Sequence, residues 1–393
     1  MEGVTFTYIT DRTYPRRIYL LTFDPEASPG ALDVTLARQQ LPGYATVSAM
    51  AMREGAIAAV NGDFGLYPGR PAHGFADDGV LLQTPVVGKM GNGFGLSADE
   101  ADPYVGGPSL SIRLHRYAHD VTWRIPRWNE GPPEPKEVVG FSPMGGTVEA
   151  PPEQSCSARL LPAGDAAFAL DGATVTQDFA VDEVLCARPP MPLEGGIVVS
   201  ARRFGSGAGR VSRLDVGETV SLSWTYGWRN LLDSIGGGPV LLKDRVLQVR
   251  HCAVWFCGRA PRTAVGVTAD GRILIMVVDG RNDRWSVGMT LKETAVFLRD
   301  MGAVDAINLD GGGSSEMWLQ GEVMNRPSDG RERRVSSALL ILPTPGPVIP
   351  ASFTAMPRTP AVRTSEQVPE DRAASKAALD DAASTGGLLD YLP

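Results

Sequence analysis

One domain of mixed α/β (α+β) class, with a β-rich core and a βαβ unit at residues 272–310, is what this sequence predicts, on three observations. Ile273–Val278 is a short, purely apolar run, which suits a strand buried on both faces. Thr290-Leu291-Lys292-Glu293 has the spacing of a capping box, in which hydroxyl and carboxylate satisfy orphan N–H groups reciprocally. Ala303–Leu309 is a second strand candidate, and it runs straight into Asp310-Gly311-Gly312-Gly313-Ser314-Ser315.

The elements follow in chain order. Residues 1–60 read as an opening meander with strands at Arg17–Phe23 and Leu32–Leu36, then a small-residue helix running into a strand over Val47–Val60. Asn61-Gly62-Asp63-Phe64 comes next, and Asn-Gly is a strong type I′ turn signal. A turn can also carry a ligand contact. His73, one of four histidines, sits in a glycine-rich loop ahead of Phe75–Leu82. It is a candidate general acid or phosphate contact, or an ordinary loop residue. Residues 101–152 are rich in Pro, Trp and Arg; their aromatics offer faces for sugar or for packing. Residues 155–225 read as several short strands with glycine turns. In Ile235-Gly236-Gly237-Gly238-Pro239, Gly237 and its neighbours either bring backbone amides to a phosphate or form a buried bulge. Behind the capping box, Leu291, Ala295 and Leu298 fall on one helix face, and Gly302 suits the C′ position. After Leu342 the chain becomes rich in Pro, Ala, Ser and Thr, so a domain over 1–343 is expected, followed by a disordered tail or linker over 344–393.

Composition narrows the function classes. A formal charge of −8 and a pI near 5.2 over 393 residues disfavour nucleic acid as a partner. No apolar run reaches the ~18–20 residues of a membrane helix. The start has no apolar signal-peptide core. The four cysteines fall into two local pairs, Cys156 with Cys186 and Cys252 with Cys257. Two disulfides and an exported protein whose signal is missing from this sequence are expected, with buried thiols and a cytoplasmic location as the alternative. No pair has Cys-x-x-Cys spacing, and His115 and His119 sit in no ligand pattern, so neither a metal nor a cofactor is predicted.

If the two strands of the βαβ unit are parallel, their C-terminal ends share one edge, and Asp279 and Asp310 converge there with Arg281 and the glycine loop. No Lys follows the glycines, so the loop is not a nucleotide-binding P-loop. The alternative is a tight turn with two solvated aspartates.

PRTAVGVTADGRILIMVVDGR, GMTLKETAVFLRDMGAVDAINLDGGGSSEM and NRPSDGRERRV resemble the phosphodiester glycosidase family, as do AAVNGDF, GNGFGLSADEADPYVG and IGGGPVLLKDRVL. The resemblance spans roughly residues 1–343. Glu316 departs from it, standing where the family more often has Thr or a small residue, and so does Asp63-Phe64. The resemblance implies a hydrolase that cleaves a sugar from its 1-phosphodiester. Asp310 would be nucleophile or base, Asp279 its partner and Glu316 a lower-ranked acid. Arg262, Thr263, Arg281, Gly312, Gly313 and Ser314 would surround the phosphate. Asn61, Asp63 and His73 would line one wall, and Asn325, Arg326 and Ser328 another. The departing phosphomonoester is a good leaving group, so cationic stabilisation matters more than a strong general acid. A non-catalytic binder of wall or exopolysaccharide phosphodiesters, and a metal-dependent phosphodiesterase using Asp63, Asp279 and Asp310, are the competing readings.

Overall fold

The apolar run Ile273–Val278 forms a strand with all six residues buried. Alternate side chains of a strand point to opposite faces, and here each face has its own core. Ile273, Ile275 and Val277 join a large central cluster, whereas Leu274, Met276 and Val278 pack in a second one with Leu291, Ala295 and Leu298 of helix Leu291–Asp300. The capping box is formed: Thr290 Oγ1 accepts from Glu293 N–H at 3.0 Å, and Glu293 Oε2 accepts from Thr290 N–H at 2.9 Å.

The coordinates are a computed structural model, and they describe residues 2–343 apart from 12–13, 29, 87–90, 98–102, 144–154, 164–168, 172–173, 187–190, 192, 194 and 250–253. The expected tail at 344–393 lies outside the described residues.

Ile273–Val278 pairs antiparallel with Arg16–Phe23 on one side and Arg262–Thr268 on the other. Ala303–Asn308 pairs with the far edge of Arg262–Thr268, again antiparallel. The two strands joined by the helix therefore run the same way but are not neighbours. They are parallel in one sheet with their C-terminal ends at one edge, but Arg262–Thr268 lies between them and each adjacent pair is antiparallel. An apolar run reports that both faces of a strand are covered, not the direction of its neighbours. The full sheet has seven strands, with Val4–Asp11 at one edge and Val240–Lys243 and Val246–Leu247 at the other.

The fold is predominantly β. A five-stranded sheet contains Ala31–Leu36, Ala58–Asn61, Met317–Leu319 and Ser337–Leu342. Helix Val47–Glu54 covers it, capped by Thr46 and ended by Gly55 at φ +68°. A second five-stranded sheet holds Gly93–Ser97 and Leu231–Gly236, and also Phe75–Asp77 and Val80–Gln83. The single element expected at Phe75–Leu82 is thus a hairpin, turned by Asp78 and Gly79 at φ 50° and 76°, as Asp-Gly favours. Residues 155–225 contribute to an eight-stranded sheet. The Pro- and Trp-rich stretch before it also supplies strands, Ser111–Arg116 and Val121–Ile125. Cys156 and Cys186 are bonded to each other. Cys257 is also disulfide-bonded, and Cys252 lies outside the described residues. Among the described residues, no helix is long and apolar enough to cross a membrane.

Candidate active site

Arg262–Thr268 runs opposite to both its neighbours, so its first residue lies at the same rim as their last ones. Arg262 pairs with Val278, just before Asp279, and Ala264 pairs with Asn308, two residues before Asp310. The antiparallel sheet thus delivers one arginine and two aspartates to one edge. Ala58–Asn61, from the neighbouring sheet, brings Asn61 to the same place: Asn61 Nδ2 donates to Asp310 O at 2.8 Å, and its Oδ1 accepts from Thr263 Oγ1 at 2.7 Å and Glu316 N–H at 3.1 Å. Asn61 and Thr263 therefore tie two sheets to the glycine loop from beneath.

Asp310 heads that loop. Its Oδ1 accepts from Gly311 N–H at 2.8 Å, its backbone N–H donates to Gly62 O at 3.0 Å, and the Ser314 hydroxyl also hydrogen-bonds the carboxylate. Close packing of protein atoms pushes the carboxyl up to about 6, helped by the charge of Asp63 and opposed by Ser314, Arg333 and Gly311. The glycines are required by their surroundings. A Cβ on Gly312, at φ +63°, would lie 2.9 Å from Arg281 Nη2, and one on Gly313 would lie 2.3 Å from Arg333 Nη2 and Asp329 Oδ2. The Gly312 N–H is already donated to Pro261 O at 2.9 Å.

Two guanidiniums face this loop. Arg262 is 4% exposed; its Nε donates to Met289 O, and its Nη2 to Phe256 O and Gly258 O at 2.6 and 2.7 Å, which leaves Nη1 on the side of Gly311. Burial and the neighbouring Arg281 push it down to about 10, against the pull of Asp310. Arg281 is exposed, holds φ +61°, and has no hydrogen bond or ion pair among the described residues. Two cations held side by side, with no carboxylate bridging them, form a site for an anion.

Behind the loop lies a buried pair. His73 Nδ1 and Asp63 Oδ1 are 2.7 Å apart, and His73 N–H donates to Asp63 Oδ2 at 2.6 Å; exposures are 2% and 0%. Gly236 leaves room for both, since a Cβ there would lie 2.4 Å from His73 Cβ and 2.6 Å from Asp63 Oδ2. The glycine run at 236–238 therefore packs against the dyad. Its amides are engaged by protein: Gly237 N–H donates to Asn92 O and Gly238 N–H to Asn308 O.

Asp279 is 1% exposed and accepts four hydrogen bonds, from Tyr19 Oη, Trp285 Nε1, Asn325 Nδ2 and Arg326 N–H. Asn325 also donates to Ser315 O and accepts from Met317 N–H. Both side chains are saturated within the protein and fix the 325–334 loop over the rim. Arg326 is exposed, its guanidinium 5.9 Å from the Trp285 ring, and Ser328 Oγ is buried with no hydrogen-bond partner among the described residues. Glu316 is placed differently. It is 1% exposed, and burial plus the Glu332 carboxylate push it up to about 9, against a hydrogen bond from the Ser48 backbone. Its carboxyl belongs to that cluster at the start of helix Val47–Glu54, not to the ring of groups around Asp310.

Several site residues escaped the sequence reading. Asn308 is fully buried, and its Nδ2 joins the loop to Gly238 O at 2.8 Å; its place in the Asn-Leu-Asp-Gly run was the available signal. Arg333 lies over Gly313, paired with Asp329 at 2.7 Å. Tyr44 lies near Asp310, and nothing local marks it. Among the described residues, two sets of donor atoms converge within 4.8 Å, His119–Asp215–Glu218 and Asp33–Asp77–Asp233. Arg116 already neutralises Glu218 in the first. Neither includes Asp63, Asp279 or Asp310.

A predominantly antiparallel β domain thus carries an elevated carboxyl on a glycine loop beside two guanidiniums, an arrangement whose charge suits an anion. The phosphodiester glycosidase family model matches residues 166–342 and supports the resemblance to that family. Among curated proteins it is 36% identical over 111 residues to the SPbeta prophage-derived protein YomE of Bacillus subtilis, covering 28% of this chain and 17% of that protein. It is 44% identical over 68 residues to N-acetylglucosamine-1-phosphodiester alpha-N-acetylglucosaminidase of Mus musculus, covering 17% of this chain and 13% of the mouse protein. The chain therefore matches less than a fifth of the length of either relative. A hypothetical protein from Synechocystis shares the fold, with TM-score 0.68 at 20% identity over 86% of this chain and 62% of that one.

Proposed function

We propose that this cleft hydrolyses the anomeric C–O bond of a sugar-1-phosphodiester, releasing free sugar and a phosphomonoester. The observation that carries the reading is the meeting of Asp310 with Arg262 and Arg281 over the glycine loop. The family and the name of the mouse relative agree with it.

The roles follow from the chemistry. Breaking the C–O bond puts positive charge on the sugar and negative charge on the departing phosphate. Arg281, free in the cleft, and the unengaged Nη1 of Arg262 take the phosphate oxygens. Asp310 meets the charge developing at the anomeric carbon, with Ser314 and Gly311 holding its carboxylate in place. His73 is fixed by Asp63 through Nδ1, which turns Nε2 toward Gly238 as the group that moves the proton of the attacking water. Asp279 and Asn325 position the loop instead of reacting. The Cys156–Cys186 disulfide supports an oxidising compartment as the place of work.

Release of free sugar from methyl-phospho-N-acetylglucosamine and related sugar-1-phosphodiesters tests the reading. Wild type should turn over with and without EDTA, and Asp310→Asn should lose at least about a hundredfold in kcat. Full activity in Asp310→Asn, or loss of wild-type activity in EDTA, would contradict it.

A further inference from the structure

Arg16 and Arg17 are neighbours on strand Arg16–Phe23, yet their charges are treated differently. The Arg16 guanidinium lies over the Tyr14 ring, 5.4 Å from its centroid, and Arg259 lies over the same ring at 4.6 Å. Glu293 neutralises both, at 2.5 Å from Arg16 Nη2 and 2.8 Å from Arg259 Nη2. Arg17 lies over the Trp285 ring at 4.9 Å, and Arg326 lies over that ring at 5.9 Å. Among the described residues no carboxylate pairs with either of these two. Asp283, in the same turn as Trp285, is exposed and bonds to neither.

The Trp285 cluster is fixed in place. Asp279 accepts from Trp285 Nε1 at 2.7 Å and from Arg326 N–H at 2.9 Å, so its carboxylate anchors the ring and the loop while touching neither guanidinium. Ser286 Oγ donates to Asp279 O at 2.5 Å and accepts from Arg17 N–H at 3.2 Å. A guanidinium lying on an aromatic ring is held through its face, which leaves its N–H edge open to an anion. The Arg326 side chain donates no hydrogen bond among the described residues, and Arg17 donates one, from Nη1 to Arg16 O at 3.2 Å. Strand register places the cluster. Arg262 pairs with Val278 and Val278 with Ile18, so Arg17 stands beside Asp279 at the rim that carries Arg262 and Asp310. The backbones of Arg262 and Ile18 are two strand spacings apart, about 10 Å, a step of roughly one sugar residue with its phosphodiester link.

We propose that Arg17 and Arg326, held on Trp285, form a second anion subsite, and that the substrate is an acidic glycan with a further anionic group about one residue from the scissile phosphodiester. The inference rests on the proposed hydrolysis, in which Arg262 and Arg281 take the scissile phosphate.

Two substrates separate the subsite from the reaction. One is methyl-phospho-N-acetylglucosamine, with a single anion, and the other is the same sugar phosphodiester on an aglycone whose next residue carries a phosphate. Wild type should show a KM roughly three- to tenfold lower for the doubly anionic compound. Arg17→Gln should lose that advantage while keeping kcat and KM for the methyl ester within about twofold. Equal KM values for the two substrates in wild type, or a KM that rises alike for both in Arg17→Gln, would overturn the subsite. Wild type that releases sugar from neither would sink the hydrolase instead. The subsite would then be judged by calorimetric binding of the doubly anionic compound: weaker binding in Arg17→Gln supports it, and binding equal to wild type overturns it.

Discussion

At the scale of single residues, the proposed chemistry rests on Asp310. Its carboxyl is raised to about 6, so the charged form is complete only above that value. kcat/KM should fall as pH drops through about 6, and a pH–rate profile of the wild type checks the limb. Arg281→Ala should raise KM for a sugar phosphodiester at least about tenfold, because the free guanidinium has no structural bond to lose. Arg262→Ala should also unfold more readily, since its carbonyl contacts would go. That Asp310, Arg262 and Arg281 meet at one rim was legible, because residue type and loop context mark them; the roles proposed for them are what these variants test. Glu316 was not legible. Which way its side chain turns depends on strand alternation with Trp318, which faces helix Val47–Glu54, and no motif encodes that. Asp279 was legible as a site residue, but only the fold shows its oxygens already filled.

Secondary elements set the second scale. The capping box, the helix behind it and the two flanking strands could be read from local spacing. The pairing could not, because the strand between them, Arg262–Thr268, comes from earlier in the chain and inserts without a local signal. Thr290→Ala should cost about 1 kcal/mol in urea unfolding and leave kcat within about twofold, since helix Leu291–Asp300 packs in the cluster of Leu274, Met276 and Val278. Gly236→Ala should behave oppositely. Its Cβ would meet Asp63 and His73, so a large loss of activity is expected, beyond any loss in stability. Equal kinetics in that variant would show that the dyad has no part in turnover.

For the whole molecule, charge is distributed against its average. The chain is acidic overall, yet arginines 262, 281, 326 and 333 gather at one rim. A second acidic centre has a consequence for stability. Asp77 is pushed well above the usual carboxylate range by burial and by Asp233 and Asp33, and Asp33 is raised by burial to about 6. Folded carboxyls that hold protons more tightly than unfolded ones destabilise as pH rises from about 4 through their folded values. Asp77→Asn should therefore raise the urea midpoint at pH 8 and have little effect at pH 4. The β-rich class was visible in the sequence, while the meeting of these three aspartates from three separate strands was not. The central claim, cleavage of the C–O bond at the Asp310 cleft, is tested most directly by hydrolysis of methyl-phospho-N-acetylglucosamine in ¹⁸O water. Label in the anomeric hydroxyl of the released sugar is the predicted result, and label in the phosphate would contradict it.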